Sequence, residues 1–100
     1  MLNYKKTVQN GKATYALEGR LDTVTSPELE NELRPVAEKL TELVLDMEKL
    51  EYISSAGLRL LLSAHKIMTA KQGKMVVIHV NEDIMEIFDI TGFSDILLFE

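Results

Sequence analysis

Two adjacent serines carry the clearest chemical potential in this chain. Ser54 and Ser55 follow the apolar run Leu43-Val44-Leu45 and its polar continuation, and they precede a leucine-rich pattern that opens at Leu58. The order reads as a strand, a surface loop from Asp46 onward, and a helix whose N-cap is Ser54 or Ser55. The unpaired N–H groups and the dipole of a helix start favour a phosphate dianion, so a serine there can be modified without unfolding its own domain. Helix capping alone would also account for both residues.

Other chemistries fit the residues less well. Ile53-Ser54-Ser55-Ala56-Gly57 partly matches the G-x-S-x-G nucleophile elbow of hydrolases but lacks the leading glycine. His65 lies ten residues beyond Ser55 on the same helical pattern, roughly 15 Å away at ~1.5 Å rise per residue, too far to activate it. His79 falls in a predicted strand, where a partly buried structural histidine is the ordinary role. Two histidines without fixed spacing and scattered carboxylates form no recognisable ligand set, and glycine-rich phosphate loops are absent, so neither metal nor cofactor is expected. Asp22, Asp46, Glu48 and Glu51 are assigned to loops at strand ends, where carboxylates are usually just solvated. The chain is not expected to be an enzyme.

The elements that position the serines can be read in order. Leu2, Tyr4 and Val8 alternate with polar residues, and Ala13, Tyr15 and Leu17 alternate again after Asn10-Gly11, the signature of a β-hairpin with a type I′ turn. Gly19 to Thr23 reads as a loop. Ser26-Pro27-Glu28 reads as a helix start with Ser26 capping, and Leu29, Leu33, Val36 and Leu40 share a face, with Pro35 predicted to kink the helix.

After Ser55, residues Leu58, Leu61, Leu62, His65 and Met68 form the main apolar stripe, flanked by a second row, Leu60, Ala64 and Ile67, which implies a helix that packs on the sheet and also borders another helix or a partner, and Gln72-Gly73 ends the helix. The stretch Lys74 to Val80 contains a β-branched run suited to a strand buried on both faces. Asn81 caps a third helix carrying Ile84, Ile87 and Phe88, Gly92 stops it, and Ile96 to Phe99 forms a last strand. The order β-β-α-β-α-β-α-β implies an α/β fold: a small mixed sheet with parallel pairings through right-handed crossovers and an antiparallel opening hairpin.

Bulk composition narrows the class further. One hundred residues, 46% of them hydrophobic, suit a single compact domain over residues 1–100. The absence of cysteine excludes disulfides and thiol chemistry and fits a reducing cytoplasm. A formal charge of −5 without a basic patch disfavours direct nucleic-acid binding, and no apolar run reaches the ~20 residues that span a bilayer. The expectation is a cytoplasmic protein without membrane insertion.

The residues also resemble a known family. Tyr52-Ile53-Ser54-Ser55-Ala56-Gly57-Leu58-Arg59 is similar to the signature of STAS domains of the bacterial anti-sigma factor antagonist type. Gly19-Arg20-Leu21-Asp22 with Ser26-Pro27, Leu43-Val44-Leu45-Asp46, and Ile90-Thr91-Gly92-Phe93 resemble further family segments in the family's order, over the whole chain. The resemblance implies a STAS-like small mixed β-sheet with helices packed mainly on one side. It also implies an anti-anti-sigma role. Unphosphorylated, the protein binds an anti-sigma factor that is also a serine-protein kinase and so frees the sigma factor. Phosphorylation at Ser55 releases the partner, and a serine phosphatase restores the first state. Many members carry aspartate before the acceptor serine, where this chain has Ser54. The implied partner-binding residues are Asp22, Thr23, Asp46, Ser54, Ser55, Gly57 and Arg59. STAS-like domains also act as scaffolds in stress-signalling assemblies and as regulatory subunits of membrane transporters, which is the alternative role.

Overall fold

The structure, a computed structural model, describes residues 1–100. Its elements run β1 (Leu2–Gln9), β2 (Lys12–Leu21), α1 (Thr25–Ala37), β3 (Glu42–Ile53), α2 (Ser55–Ala70), β4 (Lys74–Ile78), α3 (Glu82–Thr91), a short 3-10 turn (Phe93–Asp95) and β5 (Leu98–Phe99). The sheet order is β1-β2-β3-β4-β5. The β1-β2 pair is antiparallel and the other three pairs are parallel. Asn10 and Gly11 both have positive φ, 52° and 79°, as the type I′ hairpin turn requires.

One face of the sheet carries the core. Tyr15, Leu17 and Leu21 of β2, Leu43, Leu45 and Met47 of β3, and Met75 and Val77 of β4 are buried in a single cluster. All three helices contribute to that same cluster, Leu29 and Leu33 from α1, Leu61 and Met68 from α2, Ile84 and Phe88 from α3. The helices therefore cover one side, which fits the STAS-like expectation. Alternation turns Thr14, Val44 and Val76 to the opposite, helix-free face. Met75, Val76 and Val77 are all buried, as the β-branched run predicts.

Several boundaries differ from the sequence reading. The segment after Asp46 is not a loop: β3 continues to Ile53, with Met47, Leu50 and Ile53 buried. Against β2, the strand carries an extra residue between Asp46 and Lys49 and another between Leu50 and Tyr52. These two bulges change the inward spacing from two residues to three, and a pattern with period three does not read as a strand. Similarly, β2 runs on to Leu21 through the stretch read as a loop. Asp46, Glu48 and Glu51 thus lie within a strand.

The helices differ in detail too. Ser26 does not cap α1; it is buried at the second helical position, and its Oγ has no hydrogen-bond partner. Pro35 sits in the last turn of a helix that continues to Ala37, close enough to the end to spare most of the hydrogen-bond ladder. On α2 the buried face is Gly57, Leu60, Leu61, Ala64 and Met68, so the row taken as flanking is central and Leu58, Leu62 and His65 are only half-buried. The rotation follows from α2 having two neighbours, the sheet and α1. Lys71, just past α2, holds that pairing by donating its ammonium to the Ala37 carbonyl at 2.7 Å and to that of Glu38. Asn81 and Gly92 behave as read, the first accepting the Ile84 N–H at 2.9 Å and the second closing α3 at φ 84°. β4 ends at Ile78, which leaves His79 outside the strand, exposed, at φ 57°.

Candidate functional site

The serines stand where two parallel strands end side by side. Leu21 pairs with Ile53, and the N–H of Ser54 donates to the Leu21 carbonyl at 2.9 Å. From these two strand ends the chain enters α1 through Asp22-Thr23-Val24 and α2 through Ser54. The carboxyl ends of parallel strands, where helices begin, are the usual location of functional groups in such sheets.

Gly57 controls how closely the two starts approach. A Cβ there would lie 2.7 Å from Ile53 Cγ1 and 2.9 Å from the Leu21 carbonyl oxygen. Only hydrogen at this position lets the first turn of α2 rest directly on the strand ends. Ser54 is the N-cap, with extended backbone (φ −97°, ψ 177°), and its Oγ accepts the Gly57 N–H at 3.4 Å. Ser55 is the first helical residue; it is exposed, and its hydroxyl makes no hydrogen bond within the chain. The first turn of α2 contains no acidic residue.

The neighbouring start is held by Asp22. Its Oδ1 accepts the N–H groups of Val24 and Thr25, each at 3.0 Å, and the Thr25 hydroxyl at 3.1 Å. The Thr25 N–H, foremost among these donors, keeps the Asp22 carboxyl below the usual carboxylate range. Thr23 is exposed in the turn, and Val24 is 71% exposed. Arg59 lies one helical turn beyond Ser55, exposed and without an ion-pair partner.

Six of the seven candidate residues are therefore gathered around the paired helix starts: Asp22, Thr23, Ser54, Ser55, Gly57 and Arg59. Asp46 is not among them. It lies seven residues before Ile53 within β3, roughly 20 Å along a strand rising ~3.3 Å per residue. Its Oδ1 contacts His79 Nδ1 at 3.0 Å and accepts the Glu48 N–H at 3.1 Å. Neither histidine is hydrogen-bonded to either serine, since His65 Nε2 contacts Thr69 Oγ1 at 3.5 Å.

Two side chains at the site were not identified from residue type. The Arg20 guanidinium lies 4.3 Å from the centre of the Tyr52 ring, and its Nε is 4.0 Å from Asp22 Oδ2. Arg20 and Tyr52 are register partners across β2 and β3. Val24 and the Tyr52 ring are both exposed apolar groups close in the chain to the two helix starts. Arg20 and Tyr52 belong to two sequence segments thirty residues apart, and only the pairing of those segments would have flagged them.

The model of the STAS domain matches residues 3–100. The chain belongs to the STAS domain family. Among its relatives, BtrV of Bordetella bronchiseptica, provisionally named an anti-sigma factor antagonist, is 35% identical over 88 residues, which is 87% of this chain and 76% of BtrV. The anti-sigma-B factor antagonist of Staphylococcus aureus is 30% identical over 97 residues, covering 96% of this chain and 90% of its own. Of solved structures, the anti-sigma factor antagonist SpoIIAA in its unphosphorylated form superposes with a TM-score of 0.80 at 15% identity, covering 98% of this chain and 87% of its own. Its phosphorylated form gives 0.79 at 16% identity, covering 98% and 91%. At that identity the likeness is one of fold. The two relatives named above carry the name of anti-sigma factor antagonists, a regulatory kind of protein. No helix of the chain is long and apolar enough to cross a membrane.

Proposed function

We propose that this STAS domain is an anti-sigma factor antagonist switched by phosphorylation of Ser55. The observation that carries the reading is the exposed, unbonded Ser55 hydroxyl at the start of α2, in a first turn free of acidic residues. Unphosphorylated, the face made by Asp22, Thr23, Ser54, Ser55 and Arg59 docks an anti-sigma factor that is itself a serine kinase, and the sigma factor is freed. In the transfer, Ser55 Oγ bonds to the γ-phosphorus of ATP held by that kinase. The bond to the bridging oxygen breaks, ADP leaves, and the serine proton passes to a base of the kinase. A serine phosphatase hydrolyses the ester and resets the protein.

Electrostatics supports release without refolding. The phosphoryl group adds about −1.5 to −2 charge. Within the domain that charge meets the N–H groups of the α2 start and the Arg59 side chain one turn on, so the fold tolerates it. In the complex the same dianion would be buried near Asp22, and without a new cation from the partner its desolvation disfavours binding. Ser54 is a poorer acceptor, because its Oγ is engaged with the Gly57 N–H.

The test is peptide-mapped mass spectrometry after incubation with ATP and lysate of the source organism containing the cognate kinase. Ser55 is expected to gain one phosphoryl group. Ser55→Ala is expected to gain none while still binding the partner, and Ser55→Asp to bind at least about tenfold more weakly, roughly 1.4 kcal/mol, with an unchanged circular dichroism spectrum. Phosphorylation that persists in Ser55→Ala would overturn the assignment. No phosphorylation at all would redirect the reading to a scaffold or transporter-regulatory STAS domain.

A further inference from the structure

On the helix-free face, distant from Ser55, two carboxylates of one strand meet a histidine that lies far from them in the sequence. Alternation along β3 turns both Asp46 and Glu48 to this face. Asp46 pairs in register with Ile78 of β4, and the chain leaves that strand at His79 with φ 57°, in the left-handed region where histidine, like asparagine and aspartate, is enriched among non-glycine residues. His79 Nδ1 stands 3.0 Å from Asp46 Oδ1. One donor atom from each of Asp46, Glu48 and His79 lies within 4.8 Å of the other two.

We propose that Asp46, Glu48 and His79 form a binding site for a first-row divalent transition-metal ion of the Zn2+ class. One imidazole nitrogen and two carboxylate oxygens are donors that Zn2+ accepts at ~2.0–2.1 Å, which sets neighbouring donor atoms roughly 3.3 Å apart in a tetrahedron. At up to 4.8 Å, the observed separations exceed that spacing by about 1.5 Å at most. His79 and Glu48 are exposed and Asp46 half-buried, which leaves the site open for water to complete the coordination. The imidazole distinguishes the site from an ordinary acidic patch. Mg2+ and Ca2+ favour larger, all-oxygen sets, whereas imidazole nitrogen favours later transition metals. Lys5 and Lys49, which border the adjoining groove together with Asp46 and Glu48, oppose a cation and keep the affinity below that of four-ligand structural sites. Binding ties β3 to β4 in the folded state only, so the ion raises the melting temperature.

The composition makes the test clean: the chain has two histidines and no cysteine. Calorimetric titration of the tag-free chain with ZnCl2 is expected to give one saturable equivalent and a rise in Tm. His79→Asn, chosen because asparagine tolerates positive φ, and Glu48→Gln are each expected to weaken binding by at least about tenfold, with circular dichroism verifying the fold. His65→Gln and Ser55→Ala are expected to bind as the parent chain does, which separates this site from the phosphorylation switch. The inference is overturned by the absence of saturable binding below about 1 mM Zn2+, a concentration corresponding to roughly −4 kcal/mol. It is equally overturned by binding that survives His79→Asn, by equal loss in His65→Gln, or by MgCl2 binding as well as ZnCl2.

Discussion

Two helices begin side by side at the ends of β2 and β3, and they treat negative charge in opposite ways. The start of α1 is already satisfied: the Asp22 carboxylate takes two backbone N–H groups and the Thr25 hydroxyl, and Glu28 adds a second acid in the first turn. The start of α2 has one serine oxygen on one N–H at 3.4 Å, no acidic residue, and a free hydroxyl. The third helix resembles the first, with Asn81 capping and Glu82 and Asp83 following. The capacity of a helix start to receive an anion therefore depends on what the chain has left unfilled there. Proximity sharpens the contrast, because a charge placed on α2 is felt at once by whatever rests against the filled start of α1.

The strongest way to break this pairing is to separate the two starts. Gly57→Ala puts a methyl 2.9 Å from the Leu21 carbonyl oxygen and 2.7 Å from Ile53 Cγ1, and backbone on one side cannot yield cheaply. Urea unfolding is expected to report a loss of about 1–3 kcal/mol, the usual cost of overpacking, with chemical-shift changes concentrated at Asp22 to Thr25. A neutral substitution would mean that the starts are not in firm contact.

A weaker intervention removes the cap of α2 alone. Ser54→Ala deletes the bond to the Gly57 N–H, and at 3.4 Å that bond belongs at the low end of the N-cap range, about 0.5–1 kcal/mol. Hydrogen exchange is expected to quicken at Gly57 and Leu58 and to stay unchanged in α1. Equal quickening in both helices would show that the two starts share one cap network.

The smallest effect concerns the charge already present at α1. Asp22 has a folded pKa below its ordinary value of about 3.9. Its ionised form therefore stabilises the fold fully above that ordinary value, and the contribution is lost as pH falls through the lower folded value. Glu32, lowered chiefly by the Tyr15 hydroxyl and then by Lys6, adds a dependence of the same sign. Comparing parent and Asp22→Asn cancels the Glu32 part. The parent is expected to be slightly more stable above pH 4, with the difference shrinking at lower pH; a constant difference would assign the effect to geometry and not to charge.

The parts of the fold that were legible in the chain are those made by short-range rules. Asn10-Gly11 specified the hairpin, Asn81 and Gly92 bracketed α3, and the run from Met75 to Ile78 marked a strand buried on both faces. The second half of β3 was hidden because its bulges impose inward residues at every third position, Met47, Leu50 and Ile53. Those bulges are properties of the pairing with β2, so no window on β3 alone contains them. The same distinction explains α1, where Ser26 has the residue type of a cap yet the oxygen that does the work comes from Asp22, four residues earlier. For α2, two apolar rows implied a neighbour besides the sheet, as α1 proves to be, but which row lies at the centre was decided by that packing.

The candidate site divides along the same line. That a serine hydroxyl heads α2, and that Gly57 follows it, could be read directly, because capping and turn chemistry operate over three or four residues. That Asp22 and Ser54 are neighbours, that Arg20 lies on Tyr52, and that Asp46 stands apart from Ser55 while meeting His79 follow from strand register. Register is chosen by the burial of whole strand faces across distant segments, and a single residue's type or spacing does not record that choice.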